Sequence, residues 1–511
     1  MKDFVKRNYV NIIIAVLALF NITVHLITSY NLEYHRDELL YFSLGLHPRF
    51  GYATVPPMIG WIAWLMQNVF GYSIFAVRLF PALLSGVMIF LVSALTKELG
   101  GSGYARILAG AGILISIFSL RAFLLFQPVH IDIILWTLSI YLIIKYINSD
   151  SDKYLILFGL TAGLAFLNKY LIGLLFLSFL FVVPFTQHRH IFTRKKFWLG
   201  ITAGTLVFLP NLIWQFANRL PVINHFSELA RTQLVNVDRV SFLIEQLLLP
   251  GTTSILTVAG FIYIFVNKSI RRLRFLGVSA LLIIITLMLL QGKSYYTMGV
   301  FPFLIAAGAV SWDKLLERAW LKLLLVVIMI ILTLPMLPIG IPVYKTNGLI
   351  SYFSKLEEKY GMTFIRRFED GSIHSLPQDY ADMLGWEELA EIASKAWQMI
   401  PDKESGMIYC ENYGQAGAIT VIGKKYGLPE AISFHESFRY WIPDRFDREI
   451  RHGIYINDEM GEDVRSLFRS ITVVGSISNQ HAREFGTTVW LCEDPVVDFN
   501  EFWSERLKQL E

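Results

Sequence analysis

Two adjacent carboxylates, Asp37 and Glu38, follow the first apolar stretch of the sequence in the run Tyr34-His35-Arg36-Asp37-Glu38. A carboxylate fixed beside a bound hydroxyl can take its proton as a general base. The same pair also suits the first turn of a helix, whose dipole favours negative charge, so the motif alone decides nothing. Three more polar clusters interrupt apolar segments: Gln127-Pro128-Val129-His130-Ile131-Asp132, Asn168-Lys169-Tyr170 and Gln291-Gly292-Lys293-Ser294-Tyr295-Tyr296. A lone lysine at a helix end commonly snorkels to lipid headgroups. As a set, however, the clusters place carboxylates, cations and phenols at helix ends, where desolvating charge is costly and function concentrates. They fit a reaction at a membrane surface on a lipid with an anionic headgroup.

The elements that must position these groups are hydrophobic helices. The chain has 511 residues, of which 54% are hydrophobic and only 17% charged, against roughly 25% charged in soluble domains. The shortfall lies before about Pro342, where apolar stretches approach the ~20 residues that span hydrocarbon. About eleven spans are expected, near residues 9–28, 76–96, 104–120, 127–146, 154–168, 170–186, 197–216, 242–266, 273–291, 295–311 and 320–338. After Tyr344 charges return and no stretch is long enough to cross. The fold class is therefore a polytopic α-helical membrane protein, with a transmembrane domain over residues 1–343 and a soluble extracytoplasmic α/β domain over residues 344–511. The formal net charge of +4 sits mostly in short loops, which argues for membrane orientation and against nucleic-acid binding.

With the N-terminus in the cytoplasm, 18 of the 27 Lys and Arg residues before Tyr344 fall on the cytoplasmic side and 9 outside. That asymmetry satisfies the positive-inside rule and puts the tail outside, in a cell (inner or plasma) membrane. The first span follows Lys2, Lys6 and Arg7, and no small-residue cleavage site follows it, so it reads as a retained anchor. Two external loops are long, about 29–75 and 217–241. The first carries Pro56-Pro57, which favours a turn or helix start, and then a Trp-rich amphipathic run from Met58 to Phe70 suited to the interface. In the tail, Met407–Cys410, Ala431–Phe434, Ile471–Val474 and Thr487–Leu491 read as short strands, with helices over Trp386–Met399 and Gln415–Tyr426. Cys410 and Cys492 either pair or stay as free thiols. No Cys/His spacing for a metal appears.

These residues resemble the dolichyl-phosphate-mannose–protein mannosyltransferase-like branch of the GT-C glycosyltransferases, to which the lipid A aminoarabinose transferase is related. The resemblance rests on Asp37-Glu38, Pro56-Pro57, His130-Ile-Asp132, Asn168-Lys169-Tyr170 and Gly292-Lys293-Ser-Tyr-Tyr296. It continues in the tail with Glu411-Asn412-Tyr413-Gly414-Gln415-Ala416-Gly417-Ala418 and His435 to Trp441, and so covers most of the chain. It implies a GT-C-like fold and transfer of a sugar from a polyprenyl-phosphate carrier to an extracytoplasmic glycan, lipid or protein acceptor. A lipid phosphate is already a good leaving group, so inversion needs one carboxylate base instead of a pair of acids. Asp37 is the candidate base, and Glu38 would orient it or hold a divalent cation. No other cofactor or metal is called for. Lys169 and Lys293, with Arg36 and Arg78, are candidates to stabilise the departing phosphate. Tyr295 and Tyr296 would bind phosphate or sugar, and His130 and Asp132 would line the acceptor side or serve packing and capping. The chain departs from the family pattern at Val55, where a lysine often precedes the Pro-Pro pair; a nearby arginine such as Arg49 is one replacement.

The main alternative is a transporter or flippase of lipid-linked sugars. Transporters tend to place ionisable groups at the midplane, between repeated halves, whereas here the polar residues sit at helix ends. A mere anchor for a glycan-binding domain would need one span.

Overall fold

In a computed structural model, described for residues 2–510, the chain divides into two compact units. The first comprises Met1–Ser29, Phe50–Met58 and Arg78–Val343; the second comprises Tyr30–Arg49, Ile59–Val77 and Tyr344–Glu511.

Every expected span in the first unit has a helical counterpart, but the helices are unequal. Seven are long and apolar enough to cross a membrane: Asn8–Thr28, Ile74–Glu98, Pro128–Ser149, Lys195–Ala217, Lys268–Leu289, Ser294–Leu315 and Ala319–Gly340. Gly103–Ile115, Lys153–Asn168 and Tyr170–Phe185 are shorter. At 1.5 Å per residue, 16 residues reach only about 24 Å, short of the ~30 Å hydrocarbon core. The expected continuous span over 242–266 is corrected. It is two helices, Arg239–Leu248 and Gly251–Val266, bent by 92°, and the break falls at Pro250, which cannot donate to the helical ladder. The 104–120 stretch likewise splits at Ser116, whose ψ of 128° is extended. By length and composition, seven helices can cross, or eight if the bent pair is one span. The segment expected as the loop 217–241 contains a helix, Pro221–Thr232.

Close packing in this unit uses small residues. Helix Lys153–Asn168 carries Gly159 and Gly163, and helix Lys195–Ala217 carries Gly200 and Gly204. A Cβ on Gly159 would meet the Gly200 carbonyl at 2.1 Å, and one on Gly163 would meet the Gly204 oxygen at 2.2 Å. The two backbones therefore touch, as spaced small residues allow between apolar helices.

The second unit is built on a four-stranded sheet: β1 (Gly406–Cys410), β2 (His452–Asn457), β3 (Phe468–Ser476) and β4 (Thr488–Pro495). Their order is β1-β2-β4-β3, with β1 parallel to β2 and the other pairs antiparallel. The sequence reading missed β2, whose His-Gly start hides a buried run. The expected strand over 431–434 is only a bridge, in which Ile432 pairs with β1 through two backbone hydrogen bonds of 2.9 Å. The helix expected over 415–426 begins earlier, at Tyr413, and is α-helical only to Val421. Cys410 and Cys492 are both free and buried. Burial lifts the Cys410 thiol well above its ordinary value and pushes Cys492 up to about 12, so both stay protonated.

Of the first loop, Tyr30–Arg49 and the residues from Ile59 onward belong to this second unit, and Phe50–Met58 to the first. Met58–Phe70 is a 13-residue helix that starts directly after Pro56-Pro57. It buries Ile59, Ala63 and Met66 and exposes Trp64, Leu65, Val69 and Phe70. Gln67 donates to the Phe42 carbonyl, fixing this helix to the segment that carries Asp37.

Candidate functional site

Asp37 and Glu38 open a short helix, Arg36–Ser43. Glu38 is fully buried, and its Oε2 accepts the His35 backbone N–H at 2.9 Å. His35 Nδ1 in turn accepts the Asp37 N–H at 3.0 Å. The pair forms a reciprocal capping box, with histidine where serine or threonine is common. Glu38 thus caps the turn that carries Asp37. Among the described residues, no group of three His, Cys, Asp or Glu side chains is arranged to hold a metal ion.

Tertiary contacts then pin this helix start. Arg36 N–H donates to the Asp382 carbonyl at 3.0 Å and Glu33 N–H to the Met383 carbonyl at 3.1 Å. The Glu33 carboxylate accepts the Glu387 N–H at 3.0 Å, inside the first turn of helix Trp386–Met399. On the other side lies helix Tyr413–Val421, capped by Asn412, whose Oδ1 accepts from Gly414 and Gln415. A Cβ on Gly417 would meet Leu39 at 2.8 Å and its backbone at 2.9 Å; one on Gly414 would meet Arg36 Cγ at 2.8 Å. The Gly414/Gly417 spacing is therefore what lets the Asp37 helix lie against this one.

That approach places Tyr413 on the carboxylate. Its hydroxyl donates to Asp37 Oδ1 at 2.9 Å, and the Arg36 guanidinium lies over its ring at 4.5 Å. Burial, then the neighbouring Asp37 charge, raises the Tyr413 phenol well above its ordinary value, so it remains a donor. Arg36 is held above its ordinary value: burial opposes its charge, but Tyr413, Glu484, Asp382 and Asp37 outweigh it. Glu484 is 3.9 Å from Arg36 and accepts from Asn412 and Gln415 at 3.1 Å each. Asp382 pairs with Arg483 at 3.1 Å, and burial raises its carboxyl. Sequence reasoning did not assign Tyr413, Asp382 or Glu484 to this site. For Tyr413 a signal existed, because it opens the glycine-spaced run that carries the family resemblance.

Arg49, named as a replacement for the missing lysine, donates to the Tyr440 carbonyl at 2.8 Å. It thereby ties its segment to the run ending at Trp441, whose ring stacks on His47 at 4.5 Å.

Of the expected cations, Lys169 and Lys293 lie in the first unit. Lys169 is extended (φ −158°, ψ 128°) directly after helix Lys153–Asn168, and Lys293 (ψ 140°) precedes the turn Ser294–Val300. Both lysines therefore sit where helices are interrupted. Irregular backbone of this kind is tolerated beside lipid only when it is buried in protein or lines a cavity. Lys169 Nζ lies 5.6 Å from the Tyr295 ring and 5.2 Å from the Tyr296 ring, in cation–π range. The two rings meet edge-on at 4.8 Å. Lys169 also feels the charges of Asp132 and Lys293. Asp132 accepts from Trp136 Nε1 at 3.1 Å, and Asn168 donates to the Pro128 carbonyl at 3.0 Å, joining the helix break to the helix that carries Asp132.

Two expected residues have other surroundings. His130 is fully buried among the rings of Phe80, Phe123 and Phe126, at 5.8, 6.5 and 6.3 Å. Arg78 is 1% exposed and donates to the Ser29 carbonyl just past the first helix, where a cation complements the helix end.

Residues 54–214 match the family model of dolichyl-phosphate-mannose-protein mannosyltransferases. The chain is similar in fold to ArnT from Cupriavidus metallidurans bound to undecaprenyl phosphate, with a TM-score of 0.64 at 13% identity over 95% of this chain and 98% of that one. The apo form of ArnT from the same organism superposes with a TM-score of 0.61 at 12% identity, over 93% and 97%. No curated protein sequence matches the chain. Family segment and fold both resemble the GT-C superfamily glycosyltransferases. Within it, the matched segment is similar to mannosyltransferases and the whole-chain fold is similar to that of ArnT.

Proposed function

We propose that the protein moves a sugar, with inversion, from a polyprenyl-phosphate carrier to a glycan, lipid or protein acceptor on the extracytoplasmic face of the inner membrane. The observation that carries this reading is the gathering of Lys169, Lys293, Tyr295 and Tyr296 at helix interruptions, in a fold shared with an undecaprenyl-phosphate-bound relative. Two cations and two phenols in apolar surroundings are what a departing lipid phosphate requires.

Asp37 takes the proton of the attacking hydroxyl, held in place by Tyr413 and by the capping interaction of Glu38. As the acceptor oxygen bonds to the anomeric carbon, the bond to phosphate breaks and its electron pair leaves with the lipid phosphate. Arg36 holds its neighbour Tyr413, and Asp132 anchors Lys169 electrostatically. His130 and Arg78 contribute packing and helix anchoring. The loop charges support a cytoplasmic N-terminus and an extracytoplasmic second unit.

The test is Asp37→Asn, measured in membranes with labelled polyprenyl-phosphate sugar. Transfer should fall by about 10²–10⁴-fold while the protein still accumulates; turnover near that of the parent excludes Asp37 as the base.

A further inference from the structure

A cavity of about 240 Å³ lies wholly within the second unit, lined by residues that neither charged cluster uses. One wall is a face of the sheet. Tyr409 and Tyr455 occupy paired positions on β1 and β2, with parallel rings (3°) whose centroids are 6.0 Å apart. Helix Phe499–Leu510 adds Trp503, which stacks on Phe434 at 5.4 Å and 25° and on Phe499 at 6.1 Å and 19°. Phe434 in turn meets Tyr409 at 5.7 Å. Tyr409, Tyr455, Phe434 and Trp503 therefore give the cavity a contiguous aromatic lining.

Its polar groups are few and unbalanced. Glu411 accepts from the Tyr455 hydroxyl at 2.9 Å. Asp463, Glu505 and Arg506 complete the lining, giving three carboxylates against one guanidinium. Burial, then Glu411, raises both Tyr409 and Tyr455, so their hydroxyls remain donors.

We propose that this cavity binds one pyranose residue, neutral or amino-bearing, against the aromatic lining that includes Tyr409, Tyr455 and Phe434. Aromatic faces cover the apolar C–H face of a sugar ring, and carboxylates accept from its hydroxyls or ammonium group. Its volume falls below the roughly 300–1,000 Å³ of sites for drug-sized ligands, which suits a single ring and excludes a lipid tail. The carboxylate excess disfavours uronates and sugar phosphates. The site would hold a glycan by one residue, whatever reaction occurs at Asp37.

The experiment uses the full chain in micelles of a detergent without a sugar headgroup, so that the detergent cannot compete. Saturation-transfer NMR with glucose, glucosamine and glucuronate should show the first two binding with Kd on the order of 1 mM and glucuronate at least tenfold weaker. Glu411→Gln should weaken both about tenfold. Asp463→Asn, on the exposed rim, should weaken glucosamine more than glucose and carries little folding risk. Tyr409→Ala should remove binding. The proposal is overturned if neither glucose nor glucosamine binds the intact protein, if glucuronate binds as well as glucose, or if folded Glu411→Gln and Asp463→Asn bind like the parent. Because binding is read without donor or turnover, loss of the transfer reading would leave this result standing, and the reverse.

Discussion

Around Asp37 the contacts are mostly directed, with Arg36 the exception: it lies over the Tyr413 ring and 3.9 Å from Glu484. Tyr413 donates to the carboxylate, Glu38 and His35 close the capping box, and Glu484 and Asp382 flank Arg36. Around Lys169 the contacts are broader: two aromatic faces between 5 and 6 Å, one carboxylate and a second lysine. The first arrangement is what a base needs, since proton transfer depends on fixing one oxygen to within tenths of an ångström. The second suits a diffuse dianion on a long lipid, where summed positive potential matters more than any single geometry. The Asp37 cluster is therefore rigid and directional, and the Lys169 cluster soft and electrostatic.

That contrast predicts unequal sensitivity. The largest effect is expected at Asp37, where Asn keeps the shape and removes the proposed base. At the soft cluster, Lys169→Ala and Lys293→Ala should each lower kcat/KM for the lipid donor about 10- to 100-fold, from loss of a charge-assisted contact of ~1.5–3 kcal/mol. Arginine at either position should restore part of that loss, because a diffuse cluster tolerates a displaced charge. If arginine restores nothing, the lysine geometry is as strict as that of Asp37 and the contrast fails. Donor kinetics in membranes, with the acceptor saturating, give the comparison directly.

Tyr413 tests the directional side. Tyr413→Phe removes only the hydroxyl, leaving the ring under Arg36 in place. The expected outcome is roughly a tenfold drop in kcat with KM for the donor nearly unchanged, since a positioning contact acts on the reacting proton. A structural role alone would lower the unfolding midpoint and leave kcat intact, so both are measured on the same preparation.

How much of this was legible follows from sequence separation. The apolar spans, the loop charges and the polar helix ends were readable because each is a local pattern. Asp37 and Glu38 were readable as candidates, and their capping partner His35 lies three residues from Glu38. Tyr413 lies 376 residues from Asp37, and nothing local marks that pairing. The 92° bend in 239–266 was hidden because hydropathy counts apolar residues without asking whether the ladder is continuous. The helix interruptions at Lys169 and Lys293 posed the same problem: apolar runs predict burial, while interruptions are set by what packs against them. Strand β2 was missed because its His-Gly start masks the three buried apolar residues that follow, Ile454, Tyr455 and Ile456.

The smallest effect separates two glycines of the same helix. Gly417 faces Leu39, and an added Cβ would lie 2.8 Å from its Cβ and 2.9 Å from its backbone carbon. Backbone cannot swing aside, so Gly417→Ala must push the Asp37 helix outward, at a cost of about 1–3 kcal/mol. At Gly414 the nearest atoms belong to the Arg36 and Trp386 side chains, at 2.8 and 2.7 Å. The Arg36 chain can rotate, and Trp386 is fully buried, so some strain remains but less than at Gly417. Amide hydrogen exchange across residues 36–43 should therefore accelerate more in Gly417→Ala than in Gly414→Ala. Gly414→Ala should instead disturb the Arg36–Tyr413 stacking and lower kcat with little change in exchange. If both variants exchange alike, contact with the Leu39 backbone does not set the position of this helix. The rigidity assigned to the Asp37 cluster would then have to come from its hydrogen bonds to residues 382–387 alone.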